Sequence, residues 1–246
     1  MRRRFLLLSL LIPATAVAQL KPGDFVTGGP TTAKRIALTF DDGPGPNTVK
    51  FLALLRKYNV KATFFMLGDQ ARQRPAIARQ VAEEGHEIGN HTMTHINYAA
   101  RYKYRLSQTA GSKEKAVELV KADLLADMRQ SRQILEKETG AKLRILRMPH
   151  GIDKPWIKET ARDAGFILAN WTYGADWTSP PPNPVEELKK SYVHALRPGV
   201  IFLIHDGWPK SDKSLSVTEA VIKAAQANGY EIVTLGELIG LDSEKR

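Results

Sequence analysis

Five short stretches concentrate the residues of this chain that can do chemistry: TFDDGP at 39–44, HTMTH at 91–95, RMPHG at 147–151, WTYGADW at 171–177 and LIHD at 203–206. His91 and His95 stand four apart, a spacing that can turn two imidazoles toward one ion. Their neighbours Asn90, Thr92 and Thr94 are polar and cannot form an apolar core. A catalytic zinc site takes three protein ligands and keeps one position open for water. The chain has no cysteine, so any metal site must use histidines and carboxylates. The adjacent Asp41 and Asp42 are the obvious source of a third ligand. Successive strand residues point in opposite directions, and the Gly43-Pro44 turn is expected to let one carboxylate bind metal while the other faces the water.

The remaining stretches supply partners. Arg147 ends a strand-like run, and a buried guanidinium needs an anion; it can hold and orient a catalytic carboxylate. Pro149 constrains the turn that follows, so the backbone N–H of His150 can point outward at a developing oxyanion. His205 ends the apolar run Val200–Ile204, a position suited to a general acid. Asp176 can either orient His205 or hold Arg147. His86 and His194 receive no role. Tyr98, Tyr102 and Tyr104 carry rings that can stack on sugars, although packing within a helix or loop is the plainer reading.

These residues need a scaffold that brings distant positions together. Seven apolar strand-like runs alternate with helical patterns: 35–40, 61–67, 86–89, 142–147, 166–170, 200–204 and 230–234. Helices are expected from Asn47 through Tyr58, then over 75–84, 114–138, 154–164, 184–196 and 216–228, with Gly85, Gly140 and Gly165 closing three of them. The strands are continuous apolar runs, as expected when both faces are buried. This order argues for a parallel α/β architecture in one domain, a distorted barrel of about seven strand–helix units or an open sheet. In a barrel the C-terminal ends of the strands converge on one face, and that is where the five stretches fall. Residues 19–33 read as an extended lead-in, residues 34–240 as the domain, and Tyr98–Lys113 as polar and irregular.

The N-terminus carries Arg2, Arg3 and Arg4, then the short apolar run Phe5–Ile12, then Ala16-Val17-Ala18 before Gln19. That is the pattern of a signal peptide over 1–18. It predicts an exported chain, periplasmic or secreted, with no stable membrane insertion after cleavage. The formal charge is +10, three units of which leave with the leader's arginines. A basic exported protein favours anionic surfaces such as a cell wall. The lysines are dispersed, with no basic stripe interleaved with aromatics, so nucleic acid is not an expected partner.

Taken together, the motifs resemble the polysaccharide deacetylases of the NodB-homology type, carbohydrate esterase family 4. The order TFDDGP, H-[ST]-x-x-H, R-x-P, D-W and L-x-H is similar to the family's, over about residues 34–238. The resemblance implies a distorted (β/α)7-type barrel and a divalent metal, Zn2+ or another such as Co2+. It implies Asp42, His91 and His95 as metal ligands and Asp41 as general base. Arg147 would tether that base, and His205 would be the general acid, tuned by Asp176. Trp177 and Leu203 would wall the pocket for the acetyl methyl group, with Pro149 and His150 completing the substrate side.

The implied reaction removes N-acetyl groups from amino sugars of an N-acetylated polysaccharide or oligosaccharide, peptidoglycan or chitin-like, releasing acetate. An O-acetyl esterase acting on a polymer such as acetylxylan is an alternative within the same machinery. A noncatalytic carbohydrate-binding barrel is another, but it would be expected to lose a base or a ligand. A glycosidase needs two carboxylates flanking a glycosidic bond, and the histidine-rich centre argues against it. Three departures from the family pattern stand out: His150 where Tyr is usual, Tyr173 where a first Asp is usual, and a longer stretch between His95 and Arg147.

Overall fold

The computed structural model describes residues 19–177, 185–209 and 211–241. The expected leader and the SPPPNP stretch at 179–184 lie outside the described residues. In chain order the strands are β1 (Phe25–Val26), β2 (Arg35–Gly43), β3 (Thr63–Met66), β4 (Glu87–Asn90), β5 (Ile145–Leu146), β6 (Ile167–Ala169), β7 (Tyr173–Gly174), β8 (Ile201–His205) and β9 (Glu231–Val233). The helices are α1 (Thr48–Lys57), α2 (Gly68–Gln73), α3 (Pro75–Glu83), α4 (Tyr98–Gln108), α5 (Lys113–Thr139), α6 (Pro155–Asp163), α7 (Val185–His194), α8 (Asp212–Ala227) and α9 (Leu235–Leu238).

The strands form one sheet in the order β1-β6-β5-β4-β3-β2-β8-β7, with β9 paired to β2. Every pairing is parallel. The sheet curls into a distorted barrel in a single domain. Near its two edges Thr172 makes a link: its hydroxyl donates to the Thr27 carbonyl and its N–H to the Ile201 carbonyl. The lead-in is therefore part of the sheet, because Phe25 and Val26 pair with Leu168 and Ala169. Two residues of strand carry too little pattern to be read from sequence.

Alternation along β2 explains why its run is apolar throughout. Leu38 and Phe40 pack outward in one cluster with Phe51, Leu52 and Leu55 of α1, while Ala37 packs inward with Phe65, Ile145, Ile167 and Ile201. Both faces are buried, as a parallel sheet flanked by helices requires. The inward positions Ala37 and Thr39 are small, and the space beside them takes the fully buried side chain of Arg147. Its guanidinium lies 4.1 Å from the centroid of the Phe65 ring. The barrel centre is thus packed, not a pore.

Two expected boundaries shift in ways that matter. The segment after Asn97, read as irregular, is the helix α4. Asn97 caps it by accepting from the N–H groups of Ala99 and Ala100. Only Tyr98 of α4 is buried, so the apolar periodicity that announces a helix is missing. Ion pairs from Arg101 and Arg105 to Asp123 tie it to α5. The Tyr98 hydroxyl donates to Asp127, and Tyr102 stacks on Trp156, so two of the three tyrosines serve packing. The second shift is in α8, which begins at Asp212 and not near Ser216. That extra turn carries Ser214 toward the site.

Candidate active site

The five stretches meet at the C-terminal ends of the strands. Asp41, Asp42, His91, His95, His150, Trp177, Leu203 and His205 line one pocket of about 360 Å³, together with Met148, Trp171 and Trp208. Pro149 is buried in the short 3-10 turn Pro149–Gly151.

The two adjacent acids reach one pocket through a break in the strand. The β2–β3 register shifts between Asp41 and Gly43, and Asp42 has φ 70°. A left-handed residue at a bulge re-aims its side chain, so the bend lies at Asp42 itself and not only in the Gly43-Pro44 turn. Positive φ recurs here: among the described residues six non-glycines have it, and Asp42, Thr92, His95 and His150 belong to the site segments. Such backbone costs on the order of 1–3 kcal/mol per residue and clusters where function demands it.

Asp42 Oδ1 lies 3.4 Å from His91 Nε2 and 3.3 Å from His95 Nε2. It is buried and has no hydrogen-bond partner of ordinary geometry. The potential ligand atoms of these three residues lie within 4.8 Å of one another. His91 Nδ1 is 2.8 Å from the Arg147 carbonyl, a contact that places the proton on Nδ1 and leaves the Nε2 lone pair facing Asp42. Burial disfavours the His91 imidazolium, but the carboxylates of Asp41 and Asp42 outweigh it and raise its pKa. Burial likewise opposes the Asp42 carboxylate, yet contact with His91 and the charges of His91 and His95 hold it far below the usual range. His95 is shifted down by burial and by the His91 charge. The donor set of two imidazoles and one carboxylate suits a divalent metal.

Asp41 is held separately. Arg147 donates from Nη1 to Asp41 Oδ1 at 2.7 Å, and its remaining N–H groups reach Thr39 Oγ1 and the carbonyls of Ala169 and Asn170. Both side chains are nearly without solvent contact. Asp41 Oδ2 is 3.7 Å from His91 Nε2. Of the two partners left open for Asp176, the structure selects His205. Asp176 Oδ1 lies 2.9 Å from His205 Nδ1, and Oδ2 accepts from the His205 backbone N–H and from Ser214. Burial lowers the His205 pKa, and the hydrogen bond and charge of Asp176 more than reverse it, for a net rise.

Trp177 packs over Gly174 and Leu203. A Cβ on Gly174 would lie 2.7 Å from the Trp177 ring and 2.9 Å from Leu203 Cβ. Glycine is therefore needed for this wall to form. His150 is exposed and its ring meets that of His95 edge-on at 4.7 Å.

Three residues near the site received no role from sequence. Asp206 is fully buried beneath the Asp41–Gly43 bend, bonded by the Thr48 hydroxyl. Burial pushes its carboxyl up to about 7. A second polar residue directly after His205 at an apolar strand's end was the available signal. Trp171 and Trp208 complete the aromatic wall; Trp171 opens the WTYGADW stretch without a role assigned to it there, and nothing local in the sequence marks Trp208. His86 is structural: its Nδ1 accepts from the Ala62 N–H.

The curled parallel barrel brings an Asp-His-His group that suits a divalent metal beside an Arg-held carboxylate at its strand ends, an arrangement suited to metal-assisted hydrolysis. The family model described as polysaccharide deacetylase matches residues 28–169. A peptidoglycan-N-acetylglucosamine deacetylase of Bacillus cereus is 34% identical over 226 residues, covering 90% of this chain and 96% of that protein. A chitooligosaccharide deacetylase of a Bradyrhizobium species is 32% identical over 224 residues, covering 86% of this chain and 93% of that one. A crystal structure of a peptidoglycan N-acetylglucosamine deacetylase superposes with a TM-score of 0.72 at 27% identity, covering 89% of this chain and 94% of the other. The chain belongs to the polysaccharide deacetylase family.

Proposed function

We propose that this chain hydrolyses the acetamides of N-acetylated amino sugars in a polysaccharide, peptidoglycan or chitin-like, and releases acetate. The observation that carries this reading is that an Arg147-held Asp41 and an Asp176-held His205 share one pocket with the Asp42–His91–His95 group. The names of its relatives, which act on peptidoglycan N-acetylglucosamine and on chitooligosaccharides, support the same substrate class.

In this reading Asp42, His91 and His95 hold a divalent ion, and zinc is the metal we propose. Bound there, such an ion would supply polarisation of the acetyl carbonyl and a lowered pKa for water. Asp41, fixed through Oδ1, presents Oδ2 to take the proton from the attacking water. The backbone N–H of His150 donates to the oxyanion. Trp177 and Leu203 receive the acetyl methyl. His205 then donates its Nε2 proton to the leaving nitrogen as the C–N bond breaks, giving acetate and a free amine.

The His205–Asp176 pair makes a pH prediction. A raised His205 pKa keeps the imidazolium, the acid-competent form, to higher pH than an ordinary histidine. Activity is lost as pH rises through that pKa. Asp176→Asn removes the charge that raises it, so the basic limb of kcat against pH is expected to move to lower pH. A limb that stays in place, or moves to higher pH, would remove His205 from the role.

Acetate release measured side by side on peptidoglycan, chitooligosaccharides and acetylxylan tests the substrate class. Release from the N-acetylated polymers is expected. Release from acetylxylan alone would favour the O-acetyl esterase instead.

We also propose that the mature chain begins at Gln19 outside the cytoplasm. The basic, apolar and A-x-A series of the first eighteen residues supports this. N-terminal sequencing of exported protein is expected to begin at Gln19, and intact Met1 on protein confined to the cytosol would oppose it.

A further inference from the structure

The aromatic wall contains one residue that touches both halves of the proposed machinery. The indole Nε1–H of Trp208 donates to Asp42 Oδ2 at 2.7 Å. The same ring lies parallel to the His205 imidazole, with centroids 4.2 Å apart and planes 14° from parallel. Its backbone is clamped. Asn47 Nδ2 donates to the carbonyls of Trp208 and Pro209 at 3.2 and 2.8 Å. Gly207 presses on the bend at Asp42 so closely that a Cβ there would lie 2.1 Å from the Asp42 carbonyl oxygen. The segment carrying the indole is thus built against the segment carrying the proposed metal ligand.

We propose that Trp208 is a positioning residue: its N–H holds Asp42 with only Oδ1 free for the metal, and its ring holds His205 in place beside it. The inference rests on the reading of Asp42 as a ligand. A carboxylate with both oxygens free can rotate or bind through both, which would fill the position that a catalytic site keeps for water. A donor on the second oxygen prevents this and fixes the first. Loss of such outer partners typically lowers metal affinity about 10- to 100-fold. The stacking contact acts on a different atom set, so the two functions separate by substitution.

The test measures zinc affinity of the metal-free protein by chelator competition, with kcat and KM of the zinc-saturated forms beside it. Trp208→Phe keeps a ring and loses the N–H. It is expected to bind zinc about tenfold more weakly, with only a small fall in kcat once saturated. Trp208→Leu loses ring and donor; it should show the same loss of affinity and a further fall in kcat of about tenfold or more, with KM less affected. Asn47→Ala, which frees the segment without touching the indole, should weaken zinc binding in the same direction. Wild-type zinc affinity in both Trp208→Phe and Asn47→Ala would overturn the proposal while leaving the metal site intact. Failure of the wild type itself to bind zinc would overturn the ligand assignment, and the proposal with it.

Discussion

Asp41→Asn is expected to keep the proposed metal and to lose about a hundredfold or more in kcat, the usual scale for removing a general base. The two aspartates have different partners. Asp42 Oδ1 faces His91 and His95, whereas Asp41 Oδ1 is spent on Arg147. An asparagine at 41 keeps the shape and an oxygen for Arg147 Nη1, but it cannot accept a proton. It also leaves a fully buried guanidinium without its counter-charge. Breaking a buried pair by removing one partner costs up to about 3–5 kcal/mol, so the variant should melt earlier while still folding. Metal content, melting temperature and kcat together distinguish this outcome from simple unfolding. Near-wild-type turnover in the zinc-loaded variant would refute Asp41 as the base.

His91→Ala is expected to abolish metal binding and activity together. His91 is almost completely buried, and its Nδ1 contact with the Arg147 carbonyl aims Nε2 at both aspartates. Removing it leaves two of the three proposed ligands and takes away the imidazole that both aspartates approach. The affinity loss should exceed the roughly hundredfold that outer partners are worth. Elemental analysis of wild type and variant reads it directly. Equal metal content with full activity would show that the ion, if needed, is held elsewhere.

Much of this site was legible because its residues break the pattern of their elements. Asp41, His205 and Arg147 are polar residues at the ends of apolar strand runs, where burial without a partner is costly. The two-sided burial of the strands gave the parallel architecture for the same physical reason. What escaped the sequence was geometry that depends on distant contacts. The left-handed backbone at Asp42 has no local marker of the kind a glycine provides. The helix α4 is held by charges and one buried tyrosine, not by an apolar stripe. The early start of α8 follows from a turn with little apolar content, yet it delivers Ser214 to Asp176. Trp208 reads as an ordinary loop aromatic until the fold sets its N–H against Asp42. The partner of Asp176, left open by the residues alone, is the His205 that the family resemblance implied, and the pairing of β7 with β8 brings the two together.

The central claim is that this pocket performs metal-dependent N-deacetylation. The most direct measurement is simultaneous quantitation of acetate and new free amine from a chitooligosaccharide. It would be run with zinc-loaded protein, with chelator-stripped protein and with stripped protein after zinc is restored. The account predicts one acetate per amine, loss of both on stripping and recovery of both with zinc. Acetate and amine formed undiminished by the stripped protein, or neither formed from any N-acetylated polymer by folded, zinc-loaded protein, would contradict it.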